Sequence, residues 1–216
     1  MIATILPDWL ISVDAARQLY ANGNSGHDFD HVLRVLTLGE RIGAEEGADM
    51  RVVRAACLLH DVARPEADAA GACHAEWGAR RARLILADYP EPLLGAVAHA
   101  IAAHRFRGQS RAETIEAQVL SDADKLDAIG AIGVARAYAI AGVERQRLWS
   151  SVQAGDFSDV RDVLPEEHTP VHEYLFKLRA LRERLHTPTA RLIADGRHRF
   201  MAQFFDELNR EVNGRA

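Results

Sequence analysis

Residues 50–64 read MRVVRAACLLHDVAR, and this stretch carries the clearest sequence signal for the fold. From Val52 to Leu59, apolar or small side chains occupy nearly every side of a helix, a pattern typical of a helix that is buried all round. His60 and Asp61 follow where this helix should end. A buried carboxylate is costly unless it is paired with a positive charge or bound to a metal ion. The stretch therefore predicts a buried helix that ends in a chemically important charged pair.

Helical spacing of apolar side chains continues outward from this stretch in both directions. We expect helices at 8–21, from the capping-box pair Ser25 and Asp28 to Ile42, at 50–60, 74–88, 91–104, 112–126 and on to about 141, 171–185 and 188–212. Residues 64–73 are expected to form a loop, and the polar residues 143–169 a long loop or lid. No alternating strand pattern occurs in the sequence. We therefore predict an all-α fold in one domain, 1–216, with its core at about 20–140 and a C-terminal helical extension at about 170–212.

The composition excludes several classes of protein. The chain has 216 residues, of which 48% are hydrophobic and 26% charged, so it is not a disordered protein. A net charge of −5 provides no basic surface for a nucleic-acid polymer. No apolar run approaches the length of a membrane span, and Pro7 and Asp8 argue against a signal peptide. Cys57 and Cys73 form no disulfide framework, which predicts a cytoplasmic protein.

Four residues form a candidate metal site: His31, His60, Asp61 and Asp124. Two imidazoles and two carboxylates suit Mn²⁺, Fe²⁺, Co²⁺ or Ni²⁺, with Mg²⁺ and Zn²⁺ as further candidates. Each residue also has a simpler interpretation when taken alone. His31 could be an ordinary surface or core histidine, and Asp122, Asp124 and Asp127 could form a solvated acidic helix face. The ordered set favours the metal site, because His31 precedes the His-Asp pair and Asp124 follows it about sixty residues later.

Three further stretches match a known family: GHDFDHVLRV (26–35), CLLHDVAR (57–64) and VLSDADKLDAIGAIGVAR (119–136). With HEYLFKL (172–178) and the segment 187–201, the chain resembles the HD superfamily of metal-dependent phosphohydrolases over nearly its whole length. It is most similar to the YedJ/YpgQ-like branch of short bacterial members. The resemblance implies a helical HD-domain bundle and one divalent metal ion held by His31, His60, Asp61 and Asp124, all of which are present.

The resemblance also draws attention to His74 and His104. Many family members place extra histidines at these positions, where they hold a second metal or contact phosphate. The alternative is that both are capped or exposed histidines at helix ends. His99 and His104 lie on different faces of one helix, and we expect only His104 to reach the site. The segment RFRGQS after His104 departs from the glycine-tyrosine-proline signature of cyclic-dinucleotide phosphodiesterases, which argues against that activity.

The expected chemistry is hydrolysis of a phosphate ester or anhydride by activated water. Asp61 is the candidate catalytic residue, since it would orient the water as well as ligate the ion. Lys125 could hold phosphate as a point charge, although it could equally be an ordinary surface lysine. Asp127 shares the helix face of Asp124 and is expected to contact substrate or to position nearby groups. His74, His104, Lys125 and Asp127 are therefore the candidate substrate-binding residues.

The resemblance implies a small nucleotide as substrate, and for this branch a nucleoside triphosphate cleaved to monophosphate and pyrophosphate. A 5′-nucleotidase and a nucleotide phosphodiesterase remain alternatives. A P-loop nucleotidase is excluded, because the sequence has no GxxxxGK[ST] motif. From another class, the chain could be a non-catalytic sensor that binds metal and nucleotide without turnover. We expect no membrane and no nucleic-acid polymer as partner, and the sequence does not assign an oligomeric state.

Overall fold

The computed structural model describes residues 9–20, 29–105, 110–152 and 167–215. These residues contain helices and no strand, so the predicted all-α fold is confirmed. The chain divides into two compact units, Met1–Asp124 and Lys125–Ala216. The single domain predicted from the sequence stays a prediction, and the two units are considered separately.

The first unit contains six complete helices within its described residues and most of a seventh. They are α1 (Val13–Tyr20), α2 (Phe29–Glu46), α3 (Met50–Leu59), α4 (Arg64–Ala69), α5 (His74–Ile85), α6 (Glu91–Ala103) and α7 (Ile115–Asp127), which runs past the end of the unit. Helix α3 packs against α1, α2 and α6, and α5 packs against α4 and α6. The predicted burial of α3 is confirmed, since Val53 and the five residues Ala55–Leu59 are at most 1% exposed.

One element in this unit was predicted wrongly. Residues 64–73 were expected to form a loop, but Arg64–Ala69 is the helix α4. Pro65 suggested a break in the sequence, whereas in the structure it lies in the first turn of α4. Proline is tolerated there because the first backbone N–H groups of a helix have no partner within the helix. The predicted capping box at Ser25 and Asp28 falls outside the described residues.

The second unit contains α8 (Gly130–Val143), α9 (Pro170–Phe176), a 3₁₀ helix (Leu178–Arg184) and α10 (Pro188–Val212). Helix α8 packs against α9 and α10, and the 3₁₀ helix packs against α9 and α10. Residues 144–152 are not helical, in agreement with the predicted loop, and 153–166 lie outside the described residues. Among the described helices, none is by itself long and apolar enough to cross a membrane; α7 and α8 meet that criterion only as a bent pair.

Candidate metal centre

His60 lies at the end of α3 and is fully buried. Its Nδ1 is 2.8 Å from the carbonyl oxygen of Cys57, one turn earlier in the same helix. A carbonyl can only accept, so Nδ1 carries the proton and donates it to this oxygen. With this proton on Nδ1, Nε2 is the nitrogen left to face His31 and a metal ion. This orientation is the one that a metal-binding imidazole needs.

Two other predicted ligands converge on His60. His31, from α2, places its Nε2 3.3 Å from Nε2 of His60 and 3.4 Å from Oδ1 of Asp124 on α7. One ligand atom from each of the three residues lies within 4.8 Å of the others. His31 is buried, whereas the Asp124 side chain is one third exposed, at 33%. The group is therefore enclosed on the side of His31 and His60 and accessible beside Asp124.

Asp61, the fourth predicted ligand, belongs to a second group and also lies beside His60 of the first. Its Oδ2 is 3.6 Å from Nε2 of His60 and accepts a hydrogen bond of 2.9 Å from NH1 of Arg64. Its Oδ1 is 3.8 Å from Nε2 of His74. This oxygen is buried and has no hydrogen-bond partner among the described residues. An ionised oxygen in that situation is costly unless a ligand completes its environment.

The second group consists of Asp61, His74 and His104, whose ligand atoms also lie within 4.8 Å of one another. His104 is buried, and its Nδ1 donates to the carbonyl of Ile101 at 2.6 Å. This bond leaves Nε2 as the acceptor, as in His60. The ring of His104 lies 5.4 Å from the rings of both His60 and His74, centroid to centroid. Both histidines are buried, so the alternative of exposed histidines is excluded.

Nearby positive groups keep the two carboxylates of the site ionised, and burial keeps His74 and His104 neutral. Burial by itself would raise the pKa of Asp61, but His60, Arg64 and His104 together lower it to about 2. Burial would likewise raise the pKa of Asp124, and the hydrogen bond from His31 with the nearby histidines lowers it far below its usual range. Burial lowers the pKa of His74 to about 4 and also lowers that of His104. The site therefore offers carboxylate and neutral imidazole ligands at neutral pH.

The donor set fits a divalent metal ion. Ligand atoms held about 2.0–2.2 Å from one ion lie roughly 3 Å apart from each other, and the His31–His60 and His31–Asp124 distances are 3.3 and 3.4 Å. Mixed nitrogen and oxygen donors suit Mn²⁺, Fe²⁺, Co²⁺ and Ni²⁺ in particular. The orphaned Oδ1 of Asp61 is the kind of atom that a bound ion would satisfy.

Two predicted substrate residues, Lys125 and Asp127, follow Asp124 on α7 and belong to the second unit. Both are buried, so neither is a surface residue as the simpler interpretation supposed. The carboxylate of Asp127 pairs with NH1 of Arg136 at 3.4 Å. Asp122 is fully buried too, which excludes a solvated acidic helix face. The role of Lys125 and Asp127 toward substrate stays a prediction.

Three residues near the site were not singled out in the sequence. Arg64 pairs with Asp61, and Tyr20 donates a hydrogen bond of 3.0 Å to the carbonyl of Leu58, next to the His-Asp pair. Arg105 follows His104 directly, and its NH1 lies 3.9 Å from Sγ of Cys73. For Arg64 a sequence signal did exist, because it lies four residues after His60 and so one helical turn along. Tyr20 had no such signal, since it lies 38 residues from Leu58 in the chain.

Comparison with known proteins identifies the family of the chain. The HD domain model matches residues 28–129, which include all six residues of the two groups. The uncharacterized protein YpgQ of Bacillus subtilis (strain 168) is 30% identical over 202 residues, which cover 92% of this chain and 90% of YpgQ.

Solved structures are similar over the same extent. An HD-superfamily hydrolase from Bacillus thuringiensis has a TM-score of 0.73 and 28% identity, covering 93% of this chain and 94% of that one. The structure of Bacillus subtilis YpgQ in complex with ADP has a TM-score of 0.71 and 29% identity, covering 95% of this chain and 100% of that one. From the sequence identity and the shared fold, this chain belongs to the HD superfamily of metal-dependent phosphohydrolases.

Proposed function

We propose that this phosphohydrolase acts on a nucleotide, and that its reaction is cleavage of a nucleoside triphosphate to monophosphate and pyrophosphate. The observation that carries the proposal is the convergence of His31, His60 and Asp124 within 4.8 Å, with Asp61 beside them. The nucleotide class is supported by the similar protein YpgQ, which was crystallised with ADP. The one-third exposure of Asp124 leaves a side from which a substrate can approach.

His31, His60, Asp61 and Asp124 would hold one divalent ion, for which Mn²⁺ is our first candidate. A divalent ion there supplies Lewis-acid stabilisation of charge on the phosphoryl oxygens and makes a nearby water more acidic. The protein's own contribution is orientation. The Nδ1 bond to Cys57 aims the His60 ring, and the Arg64 bond fixes the plane of the Asp61 carboxylate.

Asp61 is the residue we propose to orient the attacking water. Its Oδ1 receives no hydrogen bond from the described residues and lies near His74, so it can accept a hydrogen bond from water. Burial raises the pKa of Asp61, but His60, Arg64 and His104 lower it to about 2. The carboxylate is therefore ionised at neutral pH. The geometry therefore suits an acceptor more than a proton donor.

His74 and His104 are proposed to act on the side of Asp61 away from His31. Nε2 atoms with a free lone pair beside a carboxylate oxygen could hold a second ion. Contact with a phosphoryl oxygen needs an N–H on Nε2, which His74 can supply in its Nε2–H tautomer. His104 already uses its Nδ1 proton on Ile101, so it would contact phosphate only with a protonated ring. Metal content decides between these roles: loss of one of two bound ions in His74→Ala would indicate a second metal site, and unchanged content with a raised KM would indicate phosphate contact. Lys125 and Asp127 keep their proposed role in substrate binding, in which the Arg136 pair would hold Asp127 in place.

The test of the proposal is a turnover screen of wild type and Asp124→Asn. Both would be offered Mn²⁺, Co²⁺, Ni²⁺ or Mg²⁺ with mono-, di- and triphosphate nucleotides, with separate assays for phosphate and pyrophosphate. Pyrophosphate release that is lost in Asp124→Asn supports the proposed reaction. Phosphate release from monophosphates would identify a 5′-nucleotidase instead. Metal and nucleotide binding without any turnover would refute the proposed reaction and favour a sensor.

A matched control is Asp88→Asn, which makes the same chemical change at an exposed residue after α5. It should retain full turnover, because Asp88 belongs to neither ligand group. Loss of turnover in both variants would point to general damage and not to the metal centre. A cytoplasmic location, suggested by the free cysteines Cys57 and Cys73, remains part of the same proposal.

A further inference from the structure

Arg64 has donor capacity that the described part of the chain leaves unused. Its NH1 binds Oδ2 of Asp61 at 2.9 Å, which holds the guanidinium at the edge of the ligand groups. Its Nε is buried without a hydrogen-bond partner among the described residues. Oδ2 of Asp68 lies 3.8 Å from this Nε, which is too far for a hydrogen bond. The Arg64 side chain is 27% exposed. A buried, unpaired N–H on a charged group is costly and indicates an acceptor that arrives from outside.

Arg105 brings a second guanidinium to the same end of the site. It follows His104 in the sequence, and its NH1 lies 3.9 Å from Sγ of Cys73, the residue just before His74. The Arg105 side chain is exposed, so it is accessible to a ligand. Of the second ligand group, His104 directly precedes Arg105, and His74 directly follows Cys73, which Arg105 contacts.

Both arginines act on His74. After burial, which is the largest cause, Arg64, His104 and Arg105 all lower the pKa of His74, while Asp61 opposes them. In space, His74 lies beside Asp61, to which Arg64 is bound, and it directly follows Cys73, which Arg105 approaches. Two permanent cations near one another favour an anion. Within the described residues, the acidic neighbours of Arg64 are Asp61, which is bound to it, and Asp68, whose side chain is 63% exposed.

We propose that Arg64 and Arg105 form an anion subsite that binds phosphoryl oxygens of the substrate beside His74. The ligand class is a phosphate or pyrophosphate group, and this inference rests on the proposed function. Arginine suits the role because its planar guanidinium matches phosphate oxygens with two parallel N–H donors. Arg64 would keep NH1 on Asp61 and direct its remaining donors to the phosphate, which places the substrate relative to the carboxylate.

The test measures binding of radiolabelled inorganic phosphate at micromolar concentration to Mn²⁺-loaded protein by equilibrium dialysis. We expect Arg64→Gln and Arg105→Gln each to raise the Kd about tenfold, as for loss of one charge-assisted hydrogen bond. The Kd of Arg64→Lys should lie between those of wild type and Arg64→Gln, because lysine keeps the positive charge but lacks the two parallel N–H donors of arginine. Arg83→Gln is the matched control, since Arg83 pairs with Glu91 at 2.6 Å on the surface, and it should bind phosphate as wild type does.

Mn²⁺ affinity, measured on the same variants, separates an anion subsite from a purely structural role. The proposal requires that Mn²⁺ affinity changes less than phosphate affinity. The proposal is overturned if wild type binds no phosphate, or if both glutamine variants bind phosphate as wild type does. It is also overturned if Arg64→Gln loses phosphate affinity only in proportion to its loss of Mn²⁺ affinity while Arg105→Gln binds phosphate normally. Turnover of wild type against Asp124→Asn tests the proposed function independently, so failure of the subsite leaves that result intact.

Discussion

The close approach of α2 and α3 at Gly39 and Cys57 controls the distance between two candidate ligands. A Cβ on Gly39 would lie 2.5 Å from Sγ of Cys57 and 3.4 Å from Cγ1 of Val53. Ordinary van der Waals contacts are about 3.5–4 Å, so an alanine at 39 requires about 1 Å of extra space. Cys57 is fully buried, so this clash would lie inside the core. Because α2 carries His31 and α3 leads into His60, the helices cannot separate here without affecting the site.

The magnitude follows from two opposing effects. Overpacking of a core costs about 1–3 kcal/mol, whereas glycine to alanine inside a helix stabilises by roughly 1 kcal/mol. We expect Gly39→Ala to lower the free energy of unfolding by up to about 2 kcal/mol, because the contact with Sγ of Cys57 is very short. Cys57→Ala removes the sulfur and leaves space that the new methyl group can occupy. The double variant should therefore be more stable than the sum of the single changes by about 1–2 kcal/mol.

Urea unfolding of wild type, both single variants and the double variant measures this coupling directly. Mn²⁺ affinity gives a second measurement, since the Nε2 atoms of His31 and His60 are 3.3 Å apart. Affinity should fall in Gly39→Ala and recover in the double variant. Strictly additive changes in the free energy of unfolding would refute the argument that this contact sets the spacing of the two helices.

Two further predictions concern packing and pH. Gly78→Ala should lower the free energy of unfolding by about 1 kcal/mol or more, because its Cβ would lie 2.8 Å from the carbonyl oxygen of His60. A Cβ at Gly95 would have no atom within 4 Å, so Gly95→Ala should raise the free energy of unfolding by roughly 1 kcal/mol. Thermal unfolding of both variants measures the two changes. Equal effects of the two changes would contradict this. His172 accepts the backbone N–H of Thr169 through Nδ1 at 3.1 Å in the capping box of α9, and burial, then its basic neighbours, lower its pKa. In the unfolded chain His172 binds a proton below about pH 6.5, whereas in the folded protein it does so only at a lower pH. Protons therefore favour the unfolded state, and wild type should lose stability from pH 7 to pH 5. His172→Gln keeps an acceptor for the cap and should lose less over that range; equal losses in urea unfolding would rule out this role for His172.

The sequence was informative wherever one helix by itself carries the signal. The unbroken apolar run before His60 predicted a buried helix, and α3 is buried. The apolar spacing also predicted α5 and α6 to within about three residues of their ends. Local ambiguity explains the error at α4, since Pro65 is compatible both with a loop and with the first turn of a helix.

What the pattern could not predict depends on contacts between helices far apart in the chain. The sequence offered simpler interpretations for His74, His104, Asp122 and Asp127, and the structure buries all four. No periodicity could reveal that Arg105 would approach Cys73, 32 residues earlier. Burial of this kind is decided by which helices pack together, and one helix does not contain that information.

The sequence by itself determined the all-α class, the His-Asp pair at the end of a buried helix and the family to which the chain belongs. The tertiary structure alone decided which nitrogen of His60 and His104 faces the site, and it grouped Asp61 with His74 and His104 while keeping it beside His60. The physical reason is that periodicity records which side of a helix avoids water. The convergence of side chains from α2, α3, α5 and α7 instead depends on interhelical distances set by contacts such as Gly39 with Cys57.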